Sequence, residues 1–332
     1  MPTRRASHAS SWYSADKRVL NAELDGWLAA VGDEIDAVSL PVPGARIIIA
    51  PHAGYSYSGP AAAYAYKAWD LSKAKRVFVL GPSHHLYLDS LALSLCDTYA
   101  TPLGPLHIDT ATIAALHATC TKFTSMSVKA DEAEHSLEMH LPYIHKMLSR
   151  ANKLHVPIVP IMVGAVARDT EKLFGTVLAP YIADAENAFV VSTDFCHWGT
   201  RFDYTHYYPV LPDPASAAIT AHLKLGPRVG LPRGGPAIWE SIAALDRRGM
   251  AAVSSARHDV FVDYLAETRN TVCGRHPIGV VMAAVEAVAS GEEEEKEKEV
   301  IPAFKWVRYE QSSEVVDVRE SSVSYASAYC VL

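Results

Sequence analysis

Five side chains of the kinds that bind metals or move protons stand just beyond short apolar runs or at a helix start: His52, His84, Asp194, His197 and Cys273. His52 lies in Pro51-His-Ala-Gly-Tyr55, directly after the run Arg46–Ala50, and Gly54 lets backbone or ligand come close. His84 and His85 follow Gly81-Pro-Ser after the run Arg76–Leu80. Successive side chains on extended backbone point to opposite sides, so one of the two faces the same pocket as His52. Two imidazoles at neighbouring strand ends make half of a mononuclear metal site; the structural alternative has both bonding loop backbone. Asp194 and His197 lie three residues apart in Ser192-Thr-Asp-Phe-Cys-His-Trp-Gly199. There the carboxylate orients the imidazole for acid–base work, or it caps a helix while His197 packs on Trp198.

Cys273 stands in Asn270-Thr-Val-Cys-Gly-Arg-His-Pro-Ile-Gly279, before a helical stretch and beside Arg275 and His276. Such surroundings lower a thiol's pKa, and the thiolate is both a nucleophile and a soft metal ligand. The other cysteines, Cys96, Cys120, Cys196 and Cys330, sit in apolar or undistinguished contexts and are assigned to packing. In Glu134-His-Ser-Leu-Glu138, helical spacing puts His135 and Glu138 on one face and Glu134 above Glu138, either as support behind a pocket or as a solvated face.

Residues this distant in sequence meet only if the chain brings strand ends together. The runs Arg46–Ala50, Arg76–Leu80, Pro157–Val163 and Ala188–Val191 are continuously apolar and rich in β-branched residues. They predict an α/β fold, with a mostly parallel central sheet flanked by helices. Open sheets of this kind bind ligands outside the carboxyl ends of their strands, where three of these runs deliver His or Asp. Helices are predicted over about Ala15–Val31, Ala61–Leu71, Thr110–Ala118, Glu134–Arg150 (kinked or cut short at Pro142), Arg168–Ile182 and Pro236–Arg248. A further helix opens after Cys273 and runs through Val280–Ala289. Tyr207–Gly235 reads as a long excursion with a short helix near Pro214–Lys224, Glu292–Glu299 as a solvated charge run, and Val323–Leu332 as a closing strand.

The 332 residues are 49% hydrophobic and 20% charged, a balance that fills one large domain with a sizeable core. A net charge of −7 argues against nucleic-acid binding, which rests on clustered Lys and Arg. With no run of about 18 apolar residues and no apolar stretch behind the N-terminus, neither a membrane span nor a signal peptide is expected. Five scattered cysteines without a CxxC pair point to reduced thiols, hence a cytoplasmic or nuclear protein.

The motifs around His52, His84, Glu134–Pro142, Ser192–Gly199 and Asn270–Gly279, with Ala6-Ser-His-Ala-Ser-Ser-Trp-Tyr13 and Ser321-Ser-Val-Ser-Tyr325, together resemble the Memo family (mediator of cell motility). They occur in order over nearly the whole chain, which reads as a single domain over 1–332. The resemblance weakens at 207–235 and 291–303, taken as insertions. It implies a fold similar to class III extradiol dioxygenases, in which two histidines and a carboxylate hold Fe(II) and another histidine serves as acid/base. By motif, His52 and His84 match the two histidine ligands, Cys273 takes the third position with a thiol, and His197 takes the acid/base position with Asp194 beside it. A thiolate shifts preference toward Cu(I), Zn or electron-rich iron. The resemblance therefore implies an iron or copper redox protein, with zinc as a third option, acting on a small molecule or O₂ and linked to motility signalling. It equally implies an adaptor that holds a phosphotyrosine peptide in the same cleft, with Arg275 and the histidines on the phosphate. A third reading makes Cys273 a nucleophile with His197 or His276 as base.

Overall fold

The apolar runs do become strands, buried along their length except at Arg76, which opens its strand half-exposed. The structure, a computed structural model, describes residues 2–213, 221–226, 229–291 and 302–332. Its central sheet has nine strands: β1 (Ala45–Ala50), β2 (Arg76–Pro82), β3 (Leu91–Ser94), β4 (Thr124–Met126), β5 (Ile158–Val163), β6 (Asn187–Ser192), β7 (His197–Trp198), β8 (Phe304–Gln311) and β9 (Ser322–Val331). The order is β7-β9-β1-β6-β2-β5-β3-β4, with β8 added on β9. The centre, β1-β6-β2-β5, is parallel, and antiparallel pairs flank it at β9 on β1 and β3 on β5. The closing strand expected at Val323–Leu332 is thus β9, laid antiparallel along β1.

The helices are α1 (Lys17–Ala30), α2 (Tyr55–Ala68), α3 (Thr110–Thr119), α4 (Val128–Ala133), α5 (His135–Glu138), α6 (Leu141–Arg150), α7 (Arg168–Ala183), α8 (Ile238–Ser254), α9 (His258–Thr268) and α10 (Arg275–Gly291). Asp16 starts α1 by accepting from the amides of Arg18 and Val19, and Leu20, Leu24 and Leu28 make its buried stripe. α2 begins six residues before its predicted start, because Pro60 sits inside the helix rather than at its first turn. The single helix read over Glu134–Arg150 is two, α5 and α6, with Pro142 in the first turn of the second, where its missing N–H costs nothing. α7 and α10 pack closely against each other and both touch β6; a Cβ on Gly175 would stand 2.6 Å from that of Ala283.

Of the short helix read near Pro214–Lys224, residues 214–220 lie outside the described residues, and Leu223–Lys224 is a strand antiparallel to His206–Tyr207. The charge run at 292–299 also lies outside them. Among the described residues no helix is long and apolar enough to cross a membrane.

The layout has one consequence for chemistry. β6 lies between β1 and β2, so His52 and His84 do not stand on neighbouring strands as their sequence suggested; the end of β6 separates them. That end brings Ser192 and Asp194 against the turn that carries His52.

Candidate functional site

At the carboxyl edge of β1, β6 and β2 the chain turns away from the sheet, and each turn leaves a polar side chain behind. His52, 2% exposed, presents Nε2 at 3.1 Å from Cys273 Sγ. Its Nδ1 lies 2.6 Å from Ser192 Oγ, and its backbone N–H donates to Asp194 Oδ1 at 2.8 Å. Of the two histidines that follow β2, His84 is the one that faces His52, with ring centroids 5.2 Å apart. His84 Nδ1 and its backbone N–H both donate to the Glu134 carboxylate, at 2.8 and 2.6 Å.

Donor atoms cluster in two overlapping groups, His52/His84/His135 and His52/Asp194/Cys273, within each of which all lie inside 4.8 Å. His52 is the hinge of both groups. The three residues matched to metal ligands, His52, His84 and Cys273, are therefore divided between two groups that share one imidazole. His135, read as support behind the pocket, lines it directly, stacked on His84 at 4.3 Å and edge-on to His52 at 5.4 Å. Trp12 covers the other face of His135, with centroids 4.5 Å apart.

Three sequence readings need correction. Asp194 does not orient His197. Its carboxylate accepts from the backbone amides of His52 and Ala53, because β6 carries it toward β1. His197 is oriented by backbone instead: its Nδ1 lies 3.0 Å from the Phe195 carbonyl and 3.3 Å from that of Thr271, and Nε2 has no hydrogen-bond partner among the described residues. His276 does not share the pocket either. Its Nδ1 pairs with Glu171 at 2.6 Å, and Glu171 also holds His258, tying together α7, α9 and α10. The third correction concerns Cys273. Arg275 and His276 suggested a thiol poised to ionise, yet burial and the neighbouring Asp194 carboxyl push its pKa up. This counts against a free thiolate nucleophile. Among the described residues the Arg275 side chain makes no hydrogen bond or ion pair, and only its amide is engaged, by the Val272 carbonyl.

Burial governs the other titrations. It holds His52 far below the ordinary imidazole range, helped by His84 and His135, and takes His135 down to about 3. His197 is likewise lowered, so these rings are neutral near pH 7. Burial lifts Asp194 to about 7 against the pull of the His52 amide. Glu134 runs the other way: burial pushes it up, but its hydrogen bond and charge contact with His84 hold it at about 2. Metal binding at donors of this kind, a protonated thiol among them, is linked to proton release.

Glu138 stays outside the pocket and supports it through the N-terminal segment. Its oxygens take Arg4 Nη1 at 2.7 Å, the His8 amide at 2.8 Å and the Tyr13 hydroxyl at 2.8 Å, which fixes the stretch carrying Trp12. Sequence reasoning missed Ser192 and Trp12, and it grouped Glu134 only with the α5 face. The usable signal for Glu134 was its place immediately before a short helix that it caps by accepting from the Ser136 amide at 2.8 Å.

Comparison with known proteins agrees with the motifs. The model of the family described as Memo-like protein matches residues 4–329. Protein MEMO1 of Xenopus laevis is 43% identical over 330 residues, covering 99% of this chain and 97% of its own. A MEMO1 family protein of Schizosaccharomyces pombe is 39% identical, covering 98% of each chain. A solved structure of an uncharacterized Escherichia coli K12 protein aligns with a TM-score of 0.43 at 12% identity, over 84% of this chain and 98% of that one.

Proposed function

The chain belongs to the Memo-like protein family, and from that premise we propose that its His52-centred pocket holds a single redox metal, iron or copper. His52, His84 and Cys273 would be the protein ligands, with the Asp194 carboxyl as a neighbouring oxygen donor. The observation that carries this reading is the 3.1 Å approach of His52 Nε2 to Cys273 Sγ within two overlapping donor groups. A set mixing imidazole nitrogens, one sulfur and one carboxyl oxygen suits copper, iron or zinc rather than Mg²⁺ or Ca²⁺, which take oxygen ligands. Iron or copper held there would supply one-electron chemistry toward a small ligand or O₂.

The protein's own contribution is orientation and proton handling. His197 Nδ1 donates to carbonyl oxygens that only accept, so Nε2 bears the lone pair and, neutral through burial, takes a proton from a substrate group. Trp12 and His135 wall the pocket on one side and limit water there. Asp194 keeps the first turn after β1 in place through the amides of His52 and Ala53, so His52 cannot drift from Cys273.

His52→Ala tests the reading. The variant is expected to lose bound metal while keeping its far-UV circular dichroism, since the imidazole's hydrogen-bond and thiol contacts are confined to Ser192 and Cys273. Undiminished metal content in a folded variant would contradict the proposal. A phosphotyrosine peptide bound equally well with and without chelator, by wild-type protein that takes up no metal, would instead favour the adaptor reading.

A further inference from the structure

A histidine's tautomer is decided wherever its partner can only donate or only accept. Ser192 is wholly buried, and its hydroxyl carries one proton. That proton goes to the Ser136 carbonyl oxygen at 2.8 Å, which cannot donate. The same Oγ lies 2.6 Å from His52 Nδ1, so there the hydroxyl accepts and Nδ1 bears the hydrogen. Nε2 keeps its lone pair, aimed at Cys273. Glu134 settles His84 in the same way. Three N–H groups converge on its carboxylate: the amides of His84 and Ser136, and His84 Nδ1. A carboxylate accepts from all three, so His84 is also protonated at Nδ1 and offers Nε2.

Both devices hang on one turn. Arg4 Nη2 donates to the Glu134 carbonyl at 2.9 Å, and Ser136 Oγ donates to the Pro82 carbonyl at 2.7 Å. The turn presses so tightly on β2 that a Cβ on Gly81 would fall 2.6 Å from Ser136 Oγ. We propose that the Glu134–Ser136 turn, directly through Glu134 and indirectly through Ser192, sets the tautomers of His84 and His52 together, making Glu134 and Ser192 positioning residues for metal capture. The consequence for capture rests on the metal-site reading above, whereas the tautomers do not.

The experiment uses the full chain with ¹⁵N-labelled histidine. Imidazole ¹⁵N NMR of the metal-free protein reads the tautomers, and anaerobic titrations with Fe(II) and Cu(I) read affinity, for wild type, Ser192→Ala and Glu134→Gln. The wild type is expected to show His52 and His84 protonated at Nδ1. Ser192→Ala should lose that preference at His52 alone and Glu134→Gln at His84 alone, each binding metal about 10–100-fold more weakly. Either variant suffices if the other does not fold. A wild-type His52 or His84 protonated at Nε2 overturns the proposal whatever the metal does. Variants that bind as tightly as wild type with unchanged tautomers overturn it as well. The expected tautomers in a wild type that binds neither ion would uphold the positioning device and sink the metal reading.

Discussion

Replacing Arg4 by alanine is expected to lower the free energy of unfolding by about 3–5 kcal/mol, the usual cost of leaving buried charges without their partner. Arg4 is 0% exposed and lies on Thr3–Arg4, a short strand parallel to Thr98–Tyr99. Its guanidinium reaches Asp131 at 2.9 Å and Glu138 at 2.7 Å, and donates to the carbonyls of Asp131, Glu134 and Arg5. No lysine repeats that fork, so Arg4→Lys should recover little. The pH dependence has a definite sign. Burial already raises the Asp131 pKa against the pull of Arg4, and without the arginine it climbs further. A carboxyl whose folded pKa lies above its unfolded value favours folding when protonated, and that stability is lost as pH rises through the folded value. The deficit of Arg4→Ala should therefore be smaller at about pH 5 than near pH 7. Urea unfolding at both pH values measures it; a change below about 1 kcal/mol would mean the buried pairs contribute little.

Gly274→Ala should strip the pocket of metal although every donor survives. Gly274 follows Cys273 immediately, and a Cβ there would fall 2.3 Å from the Ser192 carbonyl oxygen and 2.3 Å from Thr193 Cβ. Backbone on one side and a buried strand end on the other cannot yield, so the loop must withdraw, carrying Cys273 with it. The Gly274 amide then loses its bond to Thr193 Oγ1, now 3.0 Å, and Sγ leaves His52. Overpacking of this kind costs about 1–3 kcal/mol, and a sulfur displaced by about one ångström would no longer complete the proposed ligand set. Metal content measured beside thermal unfolding separates the two effects. Full metal loading of a folded Gly274→Ala would show that the close approach at Gly274 is not what places Cys273.

The parallel centre of the sheet was legible because β1, β2, β5 and β6 are apolar on both faces, and a run such as Ile47-Ile48-Ile49 has few other homes. β8 escaped notice for the opposite reason. Phe304–Gln311 is half-exposed and mixes Lys, Arg and Glu with aromatics, so only its partner β9 makes it a strand. The site was legible as a list of residues but not as a set of contacts. Local sequence put Arg275 and His276 beside Cys273, whereas folding turned His276 to Glu171 and brought the Asp194 carboxyl to the thiol. Spacing paired Asp194 with His197, while strand order handed Asp194 to the His52 turn. Ser192 is an ordinary serine at the end of an apolar strand until the Ser136 carbonyl is found behind it.

The proposed redox metal would be held jointly by His52, His84 and Cys273. Elemental analysis by mass spectrometry tests this most directly, on untagged protein reconstituted anaerobically with Fe(II) or Cu(I), beside Cys273→Ser. About one iron or copper per chain in the wild type, and far less in the variant, is the expected result. No bound metal in the wild type, or equal occupancy in both proteins, would contradict it.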